Sequence, residues 1–262
     1  MNLQSYLECA AGSDIVDLRA ANPPDAARFY ARFVERVCTP WERDWLAAYA
    51  GDSIRRRHRA LWSLWAAKEA VFKTRYSQAM LRDAASSAGA AAGFRRSHPL
   101  LDFTPQQIEI SPDARITAAR VSLAGAIFSG DSEFTIRYRH GAGWVHALCH
   151  HLRVPPPSVW IARRQQGPVN ESEAVREMVL AGVGRRLSPL SQAMLSIHGG
   201  RATGCAPWLR YRYRRIARRD STRRRRCFRG ENQRMPISLS HDGAWLAGAV
   251  PVAFAQMSGE SA

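Results

Sequence analysis

One long helix is the strongest structural signal in this chain of 262 residues. Asp52 and Ser53 are polar residues of the kind that begin helices, and a helical pattern follows over about 54–80. Glu69 and Lys73 stand four residues apart in this helix, so their side chains meet on one face. The apolar residues near one face of it are Leu61, Trp65, Phe72 and Tyr76.

Shorter helices and strands are predicted on both sides of this helix. Thr39, Pro40 and Glu42 form a capping-box pattern that begins a helix ending at Gly51. Mixed helices and mainly antiparallel strands predict an α+β fold, with antiparallel sheets packed against helices. The other predicted helices follow Pro23-Pro24-Asp25 and span Glu171–Arg186, and the predicted strands are Gln107–Ile110, Glu133–Arg139, Trp144–Cys149 and Trp245–Phe254.

A run of three prolines, Pro155–Pro157, is typical of a rigid connector. It divides the chain into a first half, residues 1–154, and a second half, residues 155–262. The first half carries the long helix, and the second half carries most of the positive charge.

The net charge of +16 is concentrated in one segment. Arg201–Arg234 contains 13 arginines and two acidic residues, which gives a net charge of +11 there. The segment has three interpretations. It is a solvated loop, a surface that docks an acidic protein partner, or a surface that binds the nucleic-acid backbone. The motifs described below favour the first two over nucleic acid.

The sequence also indicates the compartment. No run of about 18 apolar residues is present, so we expect no membrane span, and the N-terminus lacks the basic start of a secretory signal. The five cysteines are widely spaced, without a CxxC pair, which fits a reducing cytoplasm.

Three polar groups stand out as candidates for chemistry. Asp14 and Asp17 end an apolar run, Glu69 and Lys73 share a helix face, and residues 240–242 (Ser-His-Asp) precede the last strand. Carboxylates from distant segments can hold Mg²⁺, which commonly takes only one or two of them. A lysine beside such a site can neutralise phosphate charge. From spacing alone, however, each group is more often a cap, a turn or a solvated ion pair.

The distribution of lysine supports a functional interpretation of the Glu69 region. The chain contains 38 basic residues, of which only Lys68 and Lys73 are lysine, and both flank Glu69. Lysine is a compact, mobile point charge that can transfer a proton, whereas arginine is a planar fork. In contrast, the histidine-rich run around His150 and His151 is not expected to bind a metal, because neighbouring residues on a strand point to opposite faces.

Four motifs occur in a fixed order: GSDIVDL (12–18), RFYARFVERVCTPWE (28–42), LWAAKEAVFK (64–73) and PISLSHDGAWLAGAV (236–250). Together they resemble the 4′-phosphopantetheinyl transferase superfamily. The Asp motif comes first and the His motif last, as in the small holo-acyl-carrier-protein synthases. The chain is much longer than those enzymes, and Gly204–Pro207 lacks the lysine of the family's G-K-P turn. We therefore hypothesise that two similar α+β halves pack as a pseudo-dimer.

The resemblance implies a function and its partners. Enzymes of this family transfer 4′-phosphopantetheine from coenzyme A to a serine of an apo acyl or peptidyl carrier protein, with Mg²⁺, and release adenosine 3′,5′-bisphosphate. It implies an acidic carrier protein as partner and a place in fatty acid or polyketide biosynthesis. The alternative is a non-catalytic, basic nucleic-acid-binding protein on a transferase-like scaffold.

The resemblance also implies roles for single residues. Asp14 and Glu69 match the metal-binding Asp and Glu, and Asp17 falls on a further acidic position that makes it a third candidate ligand. Either Glu69 or a metal-bound water would take the serine proton, and Lys73 would contact the transferred phosphate. The residues expected to contact coenzyme A are Lys68, Lys73, Ser240 and His241.

Overall fold

A computed structural model of the whole chain gives its architecture. The residues that it describes are 10–21, 27–86, 104–123, 134–153, 159–164, 170–185, 195–200, 205–212 and 232–250. Four α-helices and eleven strands occur within these residues, and every strand pair is antiparallel. The predicted α+β class is therefore confirmed, and the pseudo-dimer stays a hypothesis.

The first part of the chain forms a five-stranded sheet with three helices. The strands follow the order β1-β5-β4-β3-β2, so β1 lies at one edge. They are β1 (Ala11–Asp17), β2 (Ile108–Pro112), β3 (Ala118–Leu123), β4 (Phe134–Gly141) and β5 (Trp144–His151). The helices are α1 (Ala27–Val37), α2 (Pro40–Ala50) and α3 (Ile54–Ser86), and a 3₁₀ turn (Pro105–Gln107) precedes β2.

Local sequence explains where α2 begins. The Thr39 side chain accepts a hydrogen bond from the Glu42 N–H at 3.2 Å, and Glu42 Oε2 accepts one from the Thr39 N–H at 2.8 Å. This is the reciprocal capping box that the sequence predicts. Gly51, at φ 49°, ends the helix in a left-handed conformation that glycine adopts without strain.

The long helix α3 packs directly against β1, and Gly12 allows this close approach. A Cβ atom at Gly12 would lie on the Ala70 carbonyl oxygen and 2.6 Å from the Thr74 backbone nitrogen. Any larger residue would therefore push the helix away from the strand. The contact brings the second half of α3, with Glu69 and Lys73, alongside β1.

The second part of the chain forms two three-stranded sheets and one helix. The sheets follow the orders β10-β11-β6 and β7-β8-β9. Helix α4 packs Val175, Val179 and Val183 into an apolar cluster with Leu246 and Val250. The elements are β6 (Val159–Arg164), α4 (Glu171–Gly184), β7 (Leu195–Gly200), β8 (Cys205–Arg212), β9 (Asn232–Pro236), β10 (Ser238–Asp242) and β11 (Trp245–Val250).

Several predicted boundaries shift. Helix α3 extends to Ser86 rather than Met80. Within the arginine-rich segment, residues 205–212 and 232–234 lie in strands β8 and β9, so the loop interpretation is wrong there. The rest of that segment, and residues 251–254 of the last predicted strand, lie outside the described residues. In the described part of the chain, no helix combines the length and apolarity needed to cross a bilayer.

Candidate active site

Asp14 lies at the centre of a small polar cluster on β1. Its Oδ1 atom accepts two hydrogen bonds, one from Lys73 Nζ at 2.6 Å and one from Ser240 Oγ at 2.7 Å. Lys73 Nζ also donates to the Ser13 carbonyl oxygen at 3.2 Å. Asp14 is 8% exposed, so its negative charge is held largely away from solvent by these two donors.

Glu69 faces the same cluster from α3, one helical turn before Lys73. Burial and the nearby Asp14 carboxylate raise the pKa of Glu69, and the Lys73 ammonium partly opposes this rise. Within the described residues, neither Glu69 nor Asp14 Oδ2 has a hydrogen-bond donor. Two carboxylates thus lie near one another, and one lysine is bonded to Asp14 and interacts electrostatically with Glu69.

This arrangement fits a hard divalent cation. Mg²⁺ takes oxygen ligands, commonly one or two carboxylates, and completes its shell with water and phosphate oxygens. The oxygens without donors on Asp14 and Glu69 are that kind of ligand. Among the described residues, no three or more acidic, histidine or cysteine side chains are arranged so that together they could hold a metal ion, so any cation there would depend on this pair and on substrate oxygens.

Strand β10 is attached to the free edge of β1 by its own side chains. The N–H groups of residues 13, 15 and 17 donate to Ser238 Oγ at 2.7 Å, Ser240 Oγ at 3.3 Å and Asp242 Oδ2 at 2.8 Å. Strand β5 pairs with the other edge of β1. The Ser-x-Ser-x-Asp spacing of β10 therefore satisfies an edge that would otherwise stay open.

Asp17 has a different environment from Asp14. Its Oδ1 accepts the Arg19 N–H at 2.9 Å, and its Oδ2 accepts the Ala244 N–H at 3.1 Å. The turn at Gly243, where φ is 50°, presses against this carboxylate. Asp17 thus stabilises the β10–β11 turn and lies outside the Asp14–Glu69 cluster.

His241 and Lys68, both expected to contact coenzyme A, also lie apart from the cluster. His241 is 40% exposed, and its Nδ1 lies 2.6 Å from Glu171 Oε2 at the start of α4. Because it follows Ser240 on a strand, its side chain points to the opposite face. Lys68 is 2% exposed and points into the core of the first part of the chain.

Lys68 belongs to a buried network that sequence reasoning missed. Its Nζ lies 2.7 Å from Glu42 Oε2 and donates to the carbonyl oxygens of Pro105 at 2.8 Å and Ile108 at 2.6 Å. Glu42, fully buried, also accepts the Ile110 N–H at 2.8 Å. All three donors of Lys68 are thus engaged. The structure indicates that Lys68 stabilises the core, in place of the expected contact with coenzyme A.

An apolar pocket of about 180 Å³ opens beside Lys73. Its wall includes Pro207, from strand β8. The pocket thus lies between the second half of α3 and the strands of the second part of the chain. Its other apolar lining residues are Phe72, Tyr76, Ile237 and Leu239.

A second, larger cleft of about 620 Å³ lies at the other end of α3. Arg55, Arg56 and Arg59 line it, together with Tyr49 and Ile54. The sequence signal was visible as four arginines within residues 55–59. Its positive charge makes it an anion-attracting surface on the described part of the chain.

The histidines of β5 are buried in the interior of the protein. His146 is fully buried, and its Nε2 accepts a hydrogen bond from Trp160 Nε1 at 3.1 Å. Burial lowers the pKa of His146 to about 3, and nearby Arg139 and Lys73 contribute, so the ring is neutral near pH 7. His150 and His151 are each 4% exposed.

The fold is that of an α+β protein, and it brings Asp14, Glu69 and Lys73 together where β1 meets α3. The model of the 4′-phosphopantetheinyl transferase superfamily matches residues 10–149, just over half of the chain. The chain therefore belongs to that superfamily, as its motifs predict. No curated protein matches it.

Two solved structures similar to this chain are holo-acyl-carrier-protein synthases. The enzyme from Plasmodium yoelii is 16% identical, with a TM-score of 0.37, and the match covers 55% of this chain and 93% of that one. The Helicobacter pylori enzyme, solved in complex with coenzyme A, is 20% identical, with a TM-score of 0.34. That match covers 54% of this chain and 98% of the other.

Proposed function

We propose that this protein transfers 4′-phosphopantetheine from coenzyme A to a serine hydroxyl of an apo carrier protein, in a reaction that depends on Mg²⁺. The observation that carries the proposal is the meeting of Asp14, Glu69 and Lys73 at the β1–α3 contact in a member of this superfamily. Phosphoryl transfer relies on positioning and electrostatic stabilisation, which two carboxylates able to hold a metal ion and a nearby lysine would supply.

Asp14 and Glu69 are the residues that would hold the metal. When bound, Mg²⁺ would offset negative charge on the pyrophosphate oxygens of coenzyme A. Burial and the nearby Asp14 carboxylate raise the pKa of Glu69, and a cation bound to both carboxylates would offset their repulsion.

Lys73 and Glu69 have separate roles in the proposed transfer. The serine oxygen forms a bond to the phosphorus that carries pantetheine, and the bond from that phosphorus to the bridging oxygen breaks. Adenosine 3′,5′-bisphosphate leaves with the bridging oxygen. Lys73, whose side chain is 29% exposed, can reach this phosphate and stabilise its charge. Glu69, the second carboxylate of the cluster, is the candidate acceptor of the serine proton.

The two cavities suit the two ends of such a substrate pair. The apolar pocket beside Lys73 has walls that suit the gem-dimethyl and methylene groups of the pantetheine arm. The arginine-lined cleft attracts acidic groups, which an acidic carrier protein would supply. The network of Glu42 and Lys68 stabilises α3, on which Glu69 lies.

Intact mass spectrometry tests the proposal directly. The full chain is incubated with coenzyme A, Mg²⁺ and each of several apo carrier proteins, including fatty acid and polyketide types. We expect at least one carrier to gain a single phosphopantetheine mass, and Asp14→Ala and Glu69→Ala to abolish the gain. No modified carrier under any condition would refute the proposal. Family membership favours this function over the nucleic-acid-binding alternative.

A further inference from the structure

Three side-chain hydrogen bonds join β10 to β1, through Ser238, Ser240 and Asp242, and we call each of them a rung. The three rungs are not equivalent. Ser238 Oγ accepts the Ser13 N–H and lies 3.2 Å from the Ser13 carbonyl oxygen, to which it donates. Ser240 Oγ accepts the Ile15 N–H, but it donates to Asp14 Oδ1 at 2.7 Å. Only the middle rung therefore joins the second part of the chain to the carboxylate of the candidate active site.

The geometry of Ser240 fixes the direction of its proton. A serine hydroxyl has one hydrogen to donate, and its lone pairs accept. Because the Ile15 N–H occupies a lone pair, the hydroxyl hydrogen is directed to Asp14 Oδ1. Ser240 is 6% exposed, so solvent competes little for this bond.

Two donors on one oxygen decide how Asp14 presents the other. The terminal torsion of aspartate is broad and roughly two-fold, so an unheld carboxylate samples many rotations. Lys73 and Ser240 hold Oδ1 from α3 and from β10. Oδ2 then has no donor among the described residues and is the oxygen available to a cation shared with Glu69.

We propose that Ser240 is a positioning residue, which holds Asp14 Oδ1 so that Oδ2 is presented to the divalent cation. The family resemblance implies contact between Ser240 and coenzyme A, whereas the bond of Ser240 to Asp14 indicates a different role. This inference rests on the proposed function, because it requires the cation that Asp14 and Glu69 would share.

The test compares two serines of the same strand in the full-length protein. Binding of Mn²⁺ alone is measured by electron paramagnetic resonance for the wild type, Ser240→Ala, Ser238→Ala and Ser240→Thr. Removing a partner that orients a metal ligand lowers metal affinity by about 10- to 100-fold, and we expect this loss for Ser240→Ala. Ser238→Ala removes a rung without touching Asp14, so its Mn²⁺ affinity should match the wild type. Ser240→Thr keeps the hydroxyl and should restore binding.

A kinetic measurement separates positioning from folding. The Mg²⁺ concentration for half-maximal transfer should rise for Ser240→Ala, while the KM for the carrier protein stays the same. Unfolding midpoints of the two alanine variants show whether each is folded. Equal Mn²⁺ affinity in Ser240→Ala and the wild type, or an equal loss in both alanine variants, would overturn this inference alone. A wild-type protein that neither binds Mn²⁺ nor transfers phosphopantetheine would refute the proposed function, and this inference with it.

Discussion

Replacing Lys68 by methionine should destabilise the protein without weakening its binding of coenzyme A. Lys68 is the only cation bonded to the fully buried Glu42 among the described residues, at 2.7 Å. Methionine fills a similar volume but leaves this carboxylate unpaired in the core. It also leaves the carbonyl oxygens of Pro105 and Ile108 without their donor.

The expected loss in the free energy of unfolding is that of removing one partner from a buried ion pair. Such a change costs about 3–5 kcal/mol, because the remaining charge keeps its desolvation penalty. For a chain of this size each kcal/mol lowers the unfolding midpoint by roughly 2–4 °C, which gives a fall of roughly 6–20 °C. The double variant Glu42→Gln with Lys68→Met removes both charges and should recover part of this loss.

Differential scanning calorimetry and steady-state kinetics provide the assay. Lys73→Met is the matched control, since Lys73 lies five residues further along the same helix but faces Asp14. We expect Lys68→Met to lower the unfolding midpoint and leave the KM for coenzyme A unchanged. Lys73→Met should instead impair transfer. Lys68→Met with wild-type stability and a raised KM for coenzyme A would refute the buried-network argument.

The remaining predictions concern Glu69, Gly12 and Asp17. The pKa of Glu69 is higher in the folded protein than its unfolded-state pKa of about 4.5. Above that pH the unfolded chain loses this proton more readily than the folded protein does, so the ionisation of Glu69 destabilises the fold. Glu69→Gln should therefore raise the unfolding midpoint at pH 7 and not at pH 4, and an equal midpoint at pH 7 would contradict the assignment. Gly12→Val should reduce folded yield and transfer together, because its side chain would strike Ala70; normal circular dichroism and activity would refute this. Asp17→Ala should cost about 1–3 kcal/mol in urea unfolding by releasing the β10–β11 turn, with Mn²⁺ affinity unchanged; a lost Mn²⁺ site would make Asp17 a ligand.

The sequence allowed the long helix and its functional face to be predicted, because their determinants are local. Glu69 and Lys73 are four residues apart, and helix geometry alone puts them side by side. The α2 capping box was equally readable, since Thr39 and Glu42 are neighbours along the chain. The Thr39–Glu42 contacts agree with the predicted capping box, and Lys73 interacts electrostatically with Glu69 while its ammonium is bonded to Asp14.

The expected contact of Lys68 with coenzyme A is not supported, because Lys68 lies on the buried face of its helix. Adjacent residues on a helix do not share a face, so Lys68 could not lie beside Glu69 in one site. It is three or four residues from Leu64 and Val71, which are fully buried. Helix phase therefore placed Lys68 in the core, but its partner Glu42 comes from another helix and could not be identified from spacing.

The contact of β10 with β1 could not be derived from local pattern. Its three rungs join residues 225 positions apart, and no short-range preference specifies such a pairing. Strand alternation, however, did carry one usable signal. Asp14 and Asp17 are three positions apart, an odd number, which places their side chains on opposite faces of β1.

The rate of carrier modification in single amide variants tests the central claim most directly. Asp14→Asn and Glu69→Gln keep side chains of the same size in the cluster while removing the charge of each, and Asp44→Asn is the control because Asp44 is exposed on α2. Intact mass spectrometry follows an apo carrier protein with coenzyme A and Mg²⁺ over time. We predict transfer by the wild type and Asp44→Asn, and at least a hundredfold slower transfer by the two site variants. Wild-type rates in Asp14→Asn would contradict the assignment of catalysis to this cluster.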